Sequence, residues 1–245
     1  MPEQLTLYSA KVCPYAHRVE IALKESGLSY DRFEIDLKAK PEWYAPRVNP
    51  ASKVPAISYG GPKVAPDQPS AESQKLAESL VLLEFIADLT GLETLLPKDP
   101  LLRAKARFFI ETFSSKAIPA WYASANRGES PEKFLEGIQA IQALLPAEGY
   151  AIGEWSIADA AVTPFLARAE LAFKNDLGAF DEGDGKRVYE TLQTDPMFER
   201  FRKYFVAVKG RKSFQETFDP EHILNQYRER YPPLRAQRLA SVNRT

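Results

Sequence analysis

Near the start of this 245-residue chain, a cysteine followed by a proline sits between two short runs of alternating apolar residues. QLTLY at 4–8 places Leu5 and Leu7 on one face and Thr6 and Tyr8 on the other, the period of a half-buried strand. Beyond it Val12, Tyr15, Val19, Ala22 and Leu23 recur at helical spacing from Pro14 to about Gly27. Pro14 suits the first helical position, where its missing N–H has no intrahelical partner anyway. Gly27 supplies a stop. SYDRFEIDL then alternates again, with Tyr30, Phe33 and Ile35 as the inward candidates. Strand, helix and strand in this order predict a β-α-β unit with parallel strands and a right-handed crossover.

After a loop around KAKPEWYAPRVNP, the runs VPAIS and PKVAP flank Gly60-Gly61 and predict a hairpin. DQPSAESQ reads as a polar loop before an amphipathic helix over about 79–90. The first half is therefore β-α-β followed by β-β-α, one mixed sheet with helices. ETLLPKDP at 93–100 is the linker, and from there the pattern is helical. Leu102, Ala106, Phe109, Phe113, Ala117 and Trp121 mark a long helix kinked near Pro119. PEKFLEGIQAIQALL predicts another, with Phe134, Ile138, Ile141 and Leu145 on one face. Ser156 and Asp159 have capping-box spacing ahead of an apolar helix through Phe165 and Leu171. Residues 181–185 form a turn, with helices from Lys186 and Asp195. The C-terminal segment is polar, with a helix near HILNQYRERY ending at Pro232-Pro233. The fold class is α/β plus all-α: residues 1–92 as a small α/β domain, 101–245 as an all-helical one.

Charge and residue usage exclude several functions. The chain carries 32 Lys and Arg against 33 Asp and Glu, without the basic surplus that nucleic acid or an anionic membrane surface requires. One cysteine rules out an internal disulfide framework, and with only two histidines no metal site is expected. The N-terminus has no basic and apolar leader, and SLVLLEFIADL is too short and too charged to span a bilayer, so a cytoplasmic location is expected. Asn243-Arg244-Thr245 matches a glycosylation sequon and is read as chance.

Cys13 is placed at or near a helix N-cap, where unpaired backbone N–H groups and the helix dipole favour a thiolate. Such cysteines titrate below the free value of about 8.5. The competing reading is a buried structural thiol. His17, one turn on, is a candidate to face Cys13, with a solvated residue on an exposed helix face as the favoured reading. Cys-Pro-Tyr-Ala has the spacing of a redox pair with Ala16 in place of the second thiol, so any resolving thiol comes from solution.

Strand, CPYA helix, strand, KVPAI and a later Glu78-Ser79 opening a helix resemble a thioredoxin-fold glutathione transferase. Cys13 together with AKPEW at 39–43 is similar to the cysteine-type omega class. The resemblance implies that Val54, ahead of a cis Pro55, pairs with the extended backbone of glutathione. It further implies that Ser79 and the helix start hold the γ-glutamyl carboxylate, that Glu78 pairs with its ammonium, and that Lys40 reaches the glycyl carboxylate. Tyr15 borders both this site and a second-substrate pocket, to which Trp121, Tyr122 and Arg168 are also assigned. The bland readings are a helix cap for Glu78-Ser79, a solvated charge for Lys40 and Lys53, and core packing for Trp121 and Tyr122. Phe109 and Phe113 are assigned to the core and Asp159 to a structural cap. The long stretch between Gly61 and Leu76 resembles fungal relatives that handle wood-derived aromatic compounds.

The resemblance implies glutathione as co-substrate, a homodimer, thiol transfer and reductive deglutathionylation through Cys13, dehydroascorbate reduction, and weak conjugation of electrophiles. Two alternatives stand beside it: a protein storing aromatic small molecules between the domains, and a non-catalytic interaction module on the same fold.

Overall fold

The computed structural model describes residues 3–242, so the 243–245 sequon lies outside the described residues. The chain runs β1 (Leu5–Ser9), α1 (Pro14–Ser26), β2 (Asp31–Glu34), α2 (Tyr44–Arg47), β3 (Ala56–Tyr59), β4 (Gln74–Ala77) and α3 (Ser79–Thr90). It continues as α4 (Pro100–Arg127), α5 (Glu132–Gln142), α6 (Ile157–Lys174), α7 (Asp184–Thr194), a 3-10 turn (Pro196–Phe198), α8 (Glu199–Lys209), α9 (Lys212–Thr217) and α10 (Pro220–Val242).

The sheet order is β2-β1-β3-β4. β1 and β2 are parallel, with Leu7 opposite Arg32, as the β-α-β reading expected. β1 pairs antiparallel with β3, and β3 with β4. This is a thioredoxin-like layer joined to a helical one. Its apolar core is continuous: Leu7, Val19 and Leu83 on the sheet side belong to one cluster with Phe113, Phe165 and Tyr204 on the helical side. Tyr8, Ile35, Tyr44, Val48 and Ala56 make a smaller second cluster on the other face of the sheet. No helix among the described residues is long and apolar enough to cross a membrane.

The second strand of the hairpin is not PKVAP. β3 pairs with Gln74–Ala77, and residues 62–73 form a loop instead. The reason is chemical: Pro62, Pro66 and Pro69 have no N–H to give to a ladder. Side chains of β1 and its approach hold the loop down. Tyr8 OH donates to the Pro66 carbonyl at 2.9 Å, while the Gln4 amide donates to Val64 O at 2.8 Å and accepts from Val64 N–H at 2.9 Å. The turn itself uses Gly60 and Gly61 at φ 75° and 74°, a region that disfavours other residues.

α10 also departs from expectation, running through Pro232-Pro233 to Val242. Both prolines face solvent, and packing on the opposite side offsets their missing N–H groups. Tyr227 and Tyr231 are buried edge to face at 4.9 Å. Arg235 beyond them donates to the carbonyls of Asp176 at 2.6 Å and Gly178 at 3.0 Å. α7 begins at Asp184, two residues before the expected start. The loop expected over 38–50 contains the short helix α2, and the helix expected from Asp195 opens as a 3-10 turn before α8. As expected, α1 ends at Gly27 in the left-handed region, and α6 opens on a full capping box at Ser156 and Asp159. The 93–100 linker is pinned rather than free, because Leu95 and Leu96 are buried and Leu95 O accepts from Ile157 N–H at 2.8 Å.

Candidate active site

Cys13 is the N-cap of α1, with φ −79° and ψ 117°, and Pro14 follows at the first helical position. A tight turn fixes it, Cys13 N–H donating to Ala10 O at 2.8 Å, while its own carbonyl accepts the first helical bond from His17 at 3.1 Å. The thiol points across to the approach to β3, where Sγ lies 3.8 Å from Val54 O. The Val54–Pro55 bond is cis.

These residues line a cleft of about 480 Å³ together with Tyr15, Lys40, Glu78 and Ser79. Seven expected positions therefore meet in one place, drawn from the starts of α1 and α3, the 36–43 loop and the β3 approach. Leu37, Asn49, Ser52 and Lys53 complete the wall. Lys53, read above as a surface charge, thus borders the cleft. Lys40 reaches over to donate to Ser52 O at 2.6 Å. Glu78 is exposed, at φ 69°, an unusual backbone for a residue with a side chain, and its carbonyl receives the first bond of α3 from Leu82 at 2.9 Å. Ser79 is buried, and its hydroxyl accepts from Arg18 Nη1 at 3.1 Å.

The thiol is not lowered as the helix start suggested. Burial pushes it above its ordinary value, opposed by the backbone N–H of Ala16, the Arg168 guanidinium, the backbone N–H of Tyr15 and the Arg18 guanidinium. The expected donors are in place, and loss of water outweighs them.

The second-substrate assignments sort differently. Tyr15 is about one-third exposed, at 37%, and meets Phe165 edge to face at 4.9 Å. Tyr122 is half-buried and stacked on Trp121 at 5.0 Å; burial first, then the nearby Tyr15 and Cys13 charges, push its hydroxyl upward. Trp121 is buried in the core against Phe165, and Arg168 is buried with its guanidinium committed to backbone carbonyls. Of the four assignments only Tyr15 lines the Cys13 cleft; Trp121, Tyr122 and Arg168 do not. His17 is also buried rather than solvated: Nε2 lies 2.8 Å from Thr217 Oγ1 and the ring stacks on Phe218 at 5.7 Å.

A groove of about 640 Å³ adjoins the cleft and shares Leu37 with it. Its far wall is α10, through His222, Gln226, Tyr227 and Arg230, with Val12 and Ile35 opposite. Sequence reasoning missed this wall because the polar composition of 221–242 concealed an inward face. The helical spacing of Ile223, Tyr227 and Tyr231 was the available signal.

Residues 12–89 match the glutathione S-transferase N-terminal domain family. Among solved structures the chain is similar to glutathione transferase Omega 1C from Trametes versicolor: 54% identity, TM-score 0.92, covering 95% of this chain and 98% of that one. It is also similar to Omega 2S from the same organism, solved in complex with 2,4-dihydroxybenzophenone, at 42% identity and TM-score 0.89, covering 94% and 100%. Pyrimidodiazepine synthase of Drosophila melanogaster is 31% identical over 173 residues, 68% of this chain and 65% of that protein, short of two thirds of its length. The chain belongs to the glutathione transferase family, and within it resembles the omega class.

Proposed function

We propose that the chain is a cysteine-type, omega-like glutathione transferase that uses Cys13 for thiol transfer and reductive deglutathionylation. The observation that carries this reading is the placement of the Cys13 sulfur 3.8 Å from Val54 O, in a cleft that also presents Lys40, Glu78 and Ser79. Glutathione is an extended peptide with two carboxylates and one ammonium. Val54 offers it backbone, the start of α3 with Ser79 offers donors to the γ-glutamyl carboxylate, Glu78 a counterion to the ammonium, and Lys40 one to the glycyl carboxylate.

With a glutathionyl sulfur docked beside Val54, the Cys13 thiolate attacks that sulfur. In a mixed disulfide the S–S bond breaks and the partner leaves as a thiolate. In a glutathionyl thioether next to a carbonyl the C–S bond breaks, and the carbon leaves as an enolate that takes up a proton. Either way Cys13 and glutathione become joined as a disulfide and the product is reduced. A second glutathione, as thiolate, then attacks the glutathione sulfur of that disulfide. It releases Cys13 thiolate and oxidised glutathione. No second cysteine exists in the chain to compete for this step.

Comparing wild type with Cys13→Ser for glutathione-dependent reduction of a small mixed disulfide, and for conjugation of an activated aryl halide, tests the reading. Loss of reduction with conjugation kept or raised supports it, and full reductase activity in the serine variant sinks it. A second reading, storage of aromatic compounds, draws on the α10 groove and on the benzophenone bound by Omega 2S. Tight aromatic binding without reductase activity in either protein favours that one. Residues 1–92 and 101–245 as separate domains, homodimerisation and a cytoplasmic location belong to the same reading.

A further inference from the structure

Among the described residues, two guanidiniums next to the Cys13 turn have no carboxylate partner. Arg18 is 2% exposed and Arg168 1%. Among the described residues, every hydrogen bond either makes goes to a neutral group. Arg168 donates from Nη2 to Lys11 O at 2.7 Å and from Nε to Val12 O at 3.0 Å. Its Nη1 reaches Pro164 O and His17 Nδ1, each at 3.0 Å. Arg18 donates to Ala161 O at 2.7 Å and to Ser79 Oγ at 3.1 Å, and its Nη2 is buried without a partner. A charge buried this far is unfavourable unless an opposite charge faces it.

The acidic groups nearby do not supply one. Glu20 is committed elsewhere, to Ser9 at 2.5 Å and Arg32 at 2.9 Å. Tyr122 and Tyr227 are held in the protonated form by burial. The Tyr15 phenol, beside Arg18, and the Cys13 thiol remain, and a thiol ionises before a phenol. We propose that Arg168 is a positioning residue for Cys13 and that, together with Arg18, it provides the counter-charge of the Cys13 thiolate. This rests on the reading of Cys13 as nucleophile.

The geometry divides the work. The planar fork of Arg168 spans the consecutive carbonyls of Lys11 and Val12, which fixes the turn that presents the sulfur; a lysine ammonium has no such fork. Arginine only donates, so His17 Nδ1 accepts from it and Nε2–H donates to Thr217 Oγ1 at 2.8 Å. Thr217 is tied in turn to Ser213 O at 2.6 Å, so α9 braces the fork from behind. Arg18 reaches Ser79 Oγ and packs on the Tyr15 ring, its guanidinium carbon 5.3 Å from the ring centre.

Cys13 is the only cysteine, so total alkylation reports on it alone. The test follows iodoacetamide alkylation against pH by mass spectrometry in wild type, Arg168→Gln, Arg168→Lys and Arg18→Met, with circular dichroism as the check on folding. Loss of either charge should raise the apparent thiol pKa by about one unit and slow alkylation near neutral pH by about tenfold. Arg168→Lys should keep the thiol close to wild type while slowing mixed-disulfide reduction, because charge is retained and the fork is lost. Arg168→Gln and Arg18→Met that fold and titrate as wild type overturn the proposal. Should Arg168→Gln not fold, the Arg18→Met titration decides. Alkylation reads thiol chemistry without turnover, so this test can fail while Cys13→Ser still upholds the nucleophile, and the reverse.

Discussion

The Cys13 sulfur lies 3.8 Å from the Val54 carbonyl oxygen, across 41 residues of chain. One residue begins a helix and the other precedes a strand, so both are held by regular structure rather than by a loose loop. On the proposed reading, a peptide that pairs with the Val54 backbone brings its own sulfur toward the thiol, and that proximity supplies part of the rate.

The first prediction concerns pH. Burial holds the Cys13 thiol above its ordinary value, so only a small fraction is thiolate near neutrality. The reactive form is the deprotonated one, and a raised pKa moves the whole profile upward. Alkylation should therefore gain about tenfold per pH unit and still be climbing at about pH 8.5, the free-cysteine value. A plateau already reached near pH 7 contradicts this.

Removing the Ser79 hydroxyl should weaken glutathione binding. The hydroxyl takes a bond from buried Arg18 and stands at the N-terminus of α3, where a carboxylate is favoured. Hydrogen bonds to charged groups contribute roughly 1.5–3 kcal/mol. Ser79→Ala should accordingly raise the glutathione dissociation constant at least about tenfold, measured by calorimetry. The alkylation profile of Cys13 at low glutathione should change far less. An unchanged affinity removes Ser79 from the binding site.

Much of this site was legible because it lies at element boundaries. Pro14 marks the start of one helix, Glu78-Ser79 another, and such boundaries are written in local sequence. The reading of Val54-Pro55 needed the resemblance as well, since nothing local predicts a cis bond. What escaped was decided at long range. His17 reads as a solvated residue and Arg168 as a pocket residue in sequence, and only the packing of α1 on α6 and α9 buries them. The pairing of β3 with Gln74 rather than Pro62 turned on which segment had N–H groups to offer. α10 was misread because helix-breaking prolines outweigh packing in a local reading, whereas Tyr227 and Tyr231 reverse that balance in the fold.

Asp159 tests the stability side. Its carboxylate accepts from Ala151 N–H and from Ser156 N–H, each at 2.9 Å, and from the Ser156 hydroxyl at 3.3 Å. Asp159→Ala leaves two backbone donors buried and unpaired, each costing about 1–3 kcal/mol. The urea midpoint should fall by an amount equivalent to about 2–6 kcal/mol. Asp159→Asn, which keeps an acceptor, should lose less. A loss under about 0.5 kcal/mol for the alanine variant refutes the argument that the box is a main anchor of α6.

Gly137 sets two effects against each other. It lies in the middle of α5, where helix propensity alone favours alanine over glycine by about 0.8–1 kcal/mol. A Cβ placed there, however, comes 2.7 Å from Ala117 Cα and 3.0 Å from Ala117 Cβ on α4. The nearest atom is backbone, so no side chain can swing aside, and the two helices must separate. Overpacking of this kind costs about 1–3 kcal/mol. Sterics should win: Gly137→Ala is expected to lower the thermal midpoint, and Gly137→Val to lower it further. A rise in midpoint for the alanine variant means that the α4–α5 approach can relax and that propensity governs the position.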